Sequence, residues 1–160
     1  MHPTAPNPRA RCPAPALGSG LTLIELMIVL VITAILAAVA YPSYLQMLYK
    51  SRRADAMAGL STMQQAQERY RGNNASYQAT LADLVGAAST TSPSGYYTLT
   101  IFAASATGYT LRATADSSGK QAGDSKCQQF ESIMANGTLG YSSYASGNSL
   151  NVAPDPCWVK

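Results

Sequence analysis

Histidine and charged residues are scarce in this sequence. Its 160 residues include one histidine, His2, and only 12% are charged. A mature chain beginning near Leu21 would have no imidazole, which excludes histidine-dependent catalytic triads, histidine metal sites and histidine proton switches. The formal charge of +3 (11 − 8) falls to +1 (9 − 8) without Arg9 and Arg11. Bulk charge therefore does not support nucleic-acid binding.

Catalytic and metal-binding patterns are also lacking. The many serines have no histidine or plausible lysine base to activate them, so we expect no active site and no enzyme. Asp116, Asp124 and Asp155 do not have the spacing of a calcium loop, and we interpret them as solvated surface residues. We expect no cofactor and no metal. The length fits one ordinary domain.

One long apolar run dominates the N-terminal part. Residues 21–41 read LTLIELMIVLVITAILAAVAY, with Thr22, Glu25 and Thr33 as the polar interruptions. About 20 helical residues at ~1.5 Å each span the ~30 Å apolar layer of a bilayer, so this run can cross a membrane. A secretory signal cut after Ala38-Val39-Ala40 and a permanent single-span anchor are two ordinary interpretations.

Glu25 favours a third interpretation. A carboxylate inside a membrane-spanning helix costs roughly 2.5 to 3.5 kcal/mol, so it needs a partner or a function. Cleavage between Gly20 and Leu21 would create an α-amine one helical turn before Glu25. Two unit charges about 4 Å apart attract by about 4 kcal/mol at an effective dielectric near 20. The pair could form within one chain or between neighbouring copies; in the second case it would fix their register, since an offset subunit would bury an unpaired charge.

At these residues the sequence resembles a known family. Residues 20–44, GLTLIELMIVLVITAILAAVAYPSY, resemble the class III signal of type IV pilins and pseudopilins: a Gly, a hydrophobic residue, Thr-Leu-Ile-Glu, an apolar run and a Pro. The resemblance implies a leader over residues 1–20, prepilin peptidase cleavage after Gly20, N-methylation of Leu21, an assembly role for Glu25 and a helix kink at Pro42. Leu21 replaces the commoner Phe, and the leader is unusually long and proline-rich.

An amphipathic pattern follows Pro42. Apolar residues recur there at spacings of three and four: Leu45, Leu48, Ala56, Leu60, Met63 and Tyr70. This pattern predicts that the helix continues to about Arg71, where Gly72-Asn73-Asn74 ends it. From Leu21 the helix would be ~75 Å long at ~1.5 Å per residue. Its apolar half requires lipid or an oligomer, and its amphipathic half can support a small domain.

The sequence pattern of the C-terminal part predicts one short helix and several strands. A short helix is expected over residues 80–85, with Thr80 and Asp83 as a capping box. Alternating apolar and polar residues predict strands over 97–101 and 109–114, and further strands are expected over 127–134 and 138–142 around an Asn136-Gly137 turn. The prediction is an α+β fold, with a long N-terminal helix packed on a small four-stranded antiparallel sheet, as in pilins. Residues 42–160 would form the globular domain.

The cysteines fit removal of the leader. Loss of Cys12 would leave Cys127 and Cys157, one possible bridge worth ~3.5 kcal/mol by loop entropy, with two reduced buried thiols as the alternative. The pair resembles the disulfide-bounded region of pilins, and Cys157-Trp158 resembles the end of minor pilins in type IVa systems. Secretion pseudopilins typically carry a calcium loop there instead.

Two exposed-surface hypotheses remain open. Tyr141 and Tyr144 could contact an external surface, although ordinary packing is favoured. Lys50, Arg52 and Arg53 could contact DNA phosphates or acidic lipid headgroups, although such a cluster more often anchors an apolar helix or solvates a face.

The resemblance implies a minor subunit of a type IV pilus. Such a protein would span the inner membrane of a Gram-negative bacterium once, be cut by the prepilin peptidase, and join other pilin subunits in an extracellular filament through inner-membrane assembly machinery. The resemblance extends to roles in pilus biogenesis, adhesion, twitching motility and, without support from net charge, DNA uptake. The alternatives are a type II secretion pseudopilin and a secreted or tethered binding domain.

Overall fold

A single long helix leads into the globular part. The computed structural model describes residues 20–86 and 90–158, so the predicted leader and Cys12 lie outside the described residues except for Gly20. Helix α1 comprises Leu23–Arg71 and includes Pro42. Its end at Arg71 confirms the predicted stop. The last turn is capped there, because the Asn74 side chain donates to the Tyr70 carbonyl at 2.8 Å.

The first part of α1 is apolar and unburied. The chain divides into two compact units between Val39 and Ala40. In the first unit the large side chains are exposed, as for Leu23 at 76% and Val39 at 72%. Among the described residues, α1 is the one helix that is long and apolar enough to cross a membrane. Such a surface requires lipid or other protein to cover it.

The second unit contains an antiparallel meander. Its strands are β1 Tyr97–Ala104, β2 Gly108–Ala115, β3 Gln129–Ala135, β4 Thr138–Ala145 and β5 Ser149–Leu150. They lie side by side in sequence order, and every neighbouring pair is antiparallel. The α+β prediction is confirmed, but the sheet has five strands rather than four. The fifth was missed because a two-residue strand shows no alternation.

The core lies between the amphipathic half of α1 and one face of the sheet. From the helix come Ala56, Leu60 and Met63, all at most 1% exposed, as the periodicity predicts. The sheet and the C-terminal segment add Tyr97, Leu99, Tyr109, Leu111, Ala113, Cys127, Phe130 and Cys157. Gly59 allows close approach, since a Cβ there would lie 3.0 Å from a Leu99 methyl group.

The connecting segments differ in how well the sequence predicted them. Asn136 and Gly137 have φ of 49° and 79°, the left-handed values of a tight hairpin turn, which confirms that prediction. Helix α2, Leu81–Val85, begins after Thr80, but the Thr80 side chain makes no capping hydrogen bond. The predicted capping box is therefore wrong. The Gln78 Oε1 atom instead accepts the Thr80 N–H at 3.3 Å.

Candidate functional site

The start of α1 carries the predicted assembly glutamate. The Thr22 hydroxyl accepts the backbone N–H of Glu25 at 3.3 Å. Because the helix begins at Leu23, Thr22 and Glu25 have the spacing of a capping box. The four-residue pattern Thr-Leu-Ile-Glu, a polar N-cap residue followed three positions later by Glu, is the sequence signal of this box. A carboxylate in the first turn is also favoured by the helix dipole.

Pro42 lies inside α1 rather than at its end. Because proline has no N–H, the carbonyl four residues earlier, that of Ala38, loses its helical donor. The predicted kink at Pro42 stays a prediction.

The loop between β2 and β3 packs on α1 through a buried ion pair. Arg53 Nε and Nη2 donate to Asp124 Oδ2 and Oδ1 at 2.7 and 2.9 Å. The two side chains are 8% and 2% exposed. Gln121, fully buried, donates to the same carboxylate at 3.0 Å and to the Tyr49 carbonyl at 3.3 Å. Asp124 is therefore not a solvated surface residue, and Arg53 is not free to contact phosphate.

Four other cations lie within four residues of Arg53 or Asp124 along the chain, and we call them the basic cluster: Lys50, Arg52, Lys120 and Lys126. The three lysines are exposed and Arg52 is half-buried. Arg52 Nη1 donates to the Lys120 carbonyl at 2.8 Å, and its guanidinium lies 5.2 Å from the centre of the Tyr96 ring. In the described part of the chain the ion pairs are Arg53–Asp124 and Arg112–Glu131, so the basic cluster belongs to neither.

Nearby carboxylates are engaged in local hydrogen bonds. Asp55 accepts the Ser92 hydroxyl and, at 2.8 Å, the Ser94 N–H, and so holds the turn before β1 against α1. Asp116 accepts the N–H and hydroxyl of Ser118 at 3.0 and 2.9 Å. These hydrogen bonds lower the pKa of Asp116, which keeps it ionised. Asp55 and Asp116 therefore supply two negative charges, whereas the basic cluster supplies four positive charges, so the local charge is positive.

The C-terminal segment is fastened to the sheet. Cys127 and Cys157 form a disulfide, and both are fully buried. Asp155 accepts the Ser143 hydroxyl at 2.7 Å and the Cys157 N–H at 2.9 Å, so it too is not a solvated surface residue. Asn151 Nδ2 donates to the Lys126 carbonyl at 2.9 Å. These contacts order the segment after β4.

The two tyrosines of this region differ in exposure. Tyr141 is 51% exposed, and its ring centre lies 4.5 Å from that of Trp158. Tyr144 is half-buried and donates its hydroxyl to Glu131 at 3.0 Å. Burial and this carboxylate raise the pKa of the Tyr144 hydroxyl. Tyr144 is therefore a packing residue, whereas Tyr141 presents half of its surface.

The outer face of the sheet carries a second polar group. Arg112 donates to Glu131 at 2.7 Å, and its guanidinium lies 3.8 Å from the centre of the Phe102 ring. Phe102 is 62% exposed at an irregularity in the β1–β2 register. Over residues 20–86 and 90–158, no group of three or more His, Cys, Asp or Glu could hold a metal ion.

Comparisons with known families agree with this architecture. A long helix that changes from apolar to amphipathic, packed on an antiparallel sheet with a disulfide-held C-terminal segment, defines the class of type IV pilin subunits. The family model described as a prokaryotic N-terminal methylation motif matches residues 18–41. The model described as the type IV minor pilin ComP, DNA uptake sequence receptor, matches residues 42–131, more than half of the chain. The chain belongs to this ComP family of type IV minor pilins.

None of the curated proteins matches this chain. The family match confirms the resemblance given in the sequence analysis, and the protein is a structural minor subunit of a type IV pilus. The methylation motif and the apolar helix fit a pilin that is anchored in the inner membrane and then assembled into the pilus. Pilins are a structural family.

Proposed function

We propose that this minor pilin binds double-stranded DNA through the basic cluster. The observation that carries the proposal is that four cations, none of which forms an ion pair with another described residue, flank in sequence the contact between the β2–β3 loop and α1. All four lie within residues 42–131, the segment that matches a family described as a DNA uptake sequence receptor. Lysine and arginine side chains in such a patch contact phosphates and release the counterions that condense on DNA.

Salt dependence provides the test. If all four cations contact phosphates, the logarithm of the binding constant should fall with the logarithm of salt concentration with a slope of about −3.6. The binding would be measured by fluorescence anisotropy with the mature full-length protein in detergent and a 20-base-pair duplex of mixed sequence. Replacing Lys120 or Lys126 by Gln should reduce the slope by about 0.9 each, because each removes one phosphate contact.

Arg69 offers a matched control. It is exposed and lies about 25 Å further along α1 than Arg52, at roughly 1.5 Å per residue. Arg69→Gln should leave affinity nearly unchanged, whereas Arg52→Gln should weaken it. Wild-type binding that is absent, or independent of salt, would overturn the proposal. Equal losses for Arg52→Gln and Arg69→Gln would also overturn it, because the effect would then come from total charge.

We also propose a maturation route. The prepilin peptidase cuts after Gly20, removing residues 1–20, and Leu21 is N-methylated. Residues 21–41 then span the membrane and later form the filament core, and residues 42–160 form the exposed domain. Glu25 sets register against a terminal amine, and Pro42 bends the helix. The match of the methylation motif to residues 18–41 supports this route because it includes the cleavage junction.

Mass spectrometry of the mature N-terminus tests the route directly. A methylated Leu21 is the expected result. An N-terminus at Tyr41 would instead identify a secreted domain, and an intact leader would identify a permanent anchor. We propose that the partners are other pilin subunits, the prepilin peptidase and the inner-membrane assembly machinery of a Gram-negative bacterium.

A further inference from the structure

The loop of residues 116–128, which we call the basic loop, joins β2 to β3 without regular structure and carries two of the four cations. Lys120 and Lys126 have exposed side chains. Their backbones are nevertheless held by side chains from elsewhere in the fold. The Lys120 carbonyl accepts from Arg52 at 2.8 Å, and the Lys126 carbonyl accepts from Asn151 at 2.9 Å. Both lysines therefore project from fixed points.

Asp124 lies between these two lysines in the loop and attaches the loop to α1 through a buried carboxylate. Its carboxylate receives three donors, two from Arg53 and one from Gln121. Next to it, Gly123 lies against the Tyr49 ring so closely that a Cβ would clash with the hydroxyl. The attachment thus depends on buried hydrogen bonds to the Asp124 carboxylate, although Gln121 Oε1 itself has no partner among the described residues.

A buried ion pair is an inefficient means of stabilising a domain. Removing two charges from water costs about as much as their attraction returns, and apolar residues of similar size often do as well. What the bidentate Arg53–Asp124 geometry adds is a single position for the loop. An ordered loop presents its cations to phosphates with less backbone entropy lost on binding than a flexible loop would lose.

We infer that Arg53 and Asp124 are positioning residues of the DNA site, which fix the basic loop so that Lys120 and Lys126 reach phosphates together. This inference rests on the proposed DNA binding. Neither residue contacts DNA itself, because both are almost fully buried. The pair acts on DNA affinity only through the loop.

The Asp124→Asn variant separates the effect of loop positioning on DNA affinity from the effect of charge alone. Removing a negative charge beside phosphates should strengthen binding if charge alone matters. Loss of positioning should weaken it by about tenfold and reduce the salt slope by as much as about 1.8, the share of two lysines. Asp116→Asn is the matched control, since it removes an exposed carboxylate of the same loop. It should leave binding equal or slightly stronger.

A second variant shows whether weaker binding comes from loss of loop positioning rather than from an unpaired buried charge that unfolds the domain. Arg53→Met with Asp124→Leu removes both charges, so it leaves net charge unchanged and no buried ion unpaired. We expect weaker DNA binding, together with faster amide hydrogen exchange confined to residues 120–127. In this background Lys120→Gln should have less effect than in the wild type, because the lysine no longer reaches its phosphate.

The outcomes distinguish the two proposals. If the wild type binds DNA and the Met/Leu variant binds equally well with the same slope, the positioning role is wrong and the proposed function stands. Unchanged exchange of residues 120–127 in that variant would also overturn the positioning role. If the wild type does not bind DNA, the proposed function fails and the inference fails with it.

Discussion

The disulfide should contribute strongly to the stability of the globular unit. Cys127 and Cys157 are separated by 30 positions, and the enclosed segment contains β3, β4 and β5. Closing a loop of that length in the unfolded chain is worth about 3.5 kcal/mol. For a unit of about 120 residues, an unfolding entropy of roughly 2.1 cal/mol/K per residue converts this into a loss of about 14 °C in Tm when the bridge is removed.

The assay is thermal unfolding of the mature protein in detergent, followed by the circular dichroism of its sheet. Wild type would be compared with and without reductant, and with a Cys127→Ala/Cys157→Ala variant. Reduction measures the contribution of the bridge alone to Tm, because it keeps both sulfur atoms in the core. The double variant should melt slightly lower than reduced wild type, since both cysteines are fully buried and alanine leaves a cavity.

The double variant also serves as the control for the reductant, because its Tm should not respond to reductant at all. If reduced wild type melts within about 3 °C of the oxidised form, the loop-entropy argument is refuted for this fold. The unfolded segment would then already be restricted without the bridge.

Two further predictions concern single residues. Burial, aided by the nearby Asp124 carboxylate, raises the pKa of the Tyr97 hydroxyl above its ordinary value of 10.0. Above pH ~10 the unfolded chain releases this proton first, so the free energy of unfolding should fall as pH rises. Measured by chemical denaturation, the free energy of unfolding of Tyr97→Phe should fall less steeply with pH than that of the wild type. Glu25→Ala should abolish incorporation into filaments in cells, measured by immunoblotting of sheared pili, whereas Thr33→Ala should not. Normal incorporation of the Glu25 variant would exclude the register mechanism.

Periodicity and turn chemistry predicted the parts of the fold that depend on local sequence. Leu60 and Met63 are three residues apart and both are buried on one face of α1. Asn136-Gly137 predicted a hairpin turn, because these residues tolerate positive φ. In each case the signal lies within a few residues of the element, and no knowledge of distant contacts is needed.

Contacts between distant residues were not predictable in this way. Arg53 and Asp124 are 71 positions apart, and nothing in either local sequence identifies the other as its partner. Each therefore looked like an ordinary surface charge. Asp155 was misread for the same reason, since its hydroxyl donor, Ser143, lies on β4. A single sequence shows which charges are present but does not show which of them neutralise each other.

For the same reason, net charge alone does not decide whether this surface can bind DNA. A net charge counts every ionised group equally, yet a phosphate responds to the cations that remain unpaired near it. Arg53 with Asp124, and Arg112 with Glu131, cancel as pairs at contact distance. Leaving both pairs out of the count does not change the net charge, but near the basic cluster of Lys50, Arg52, Lys120 and Lys126 the carboxylates outside those pairs are Asp55 and Asp116. A nearly neutral protein can therefore present a positive surface. In the proposed site, the Arg53–Asp124 pair buries one cation and at the same time fixes the basic loop, which carries the exposed Lys120 and Lys126.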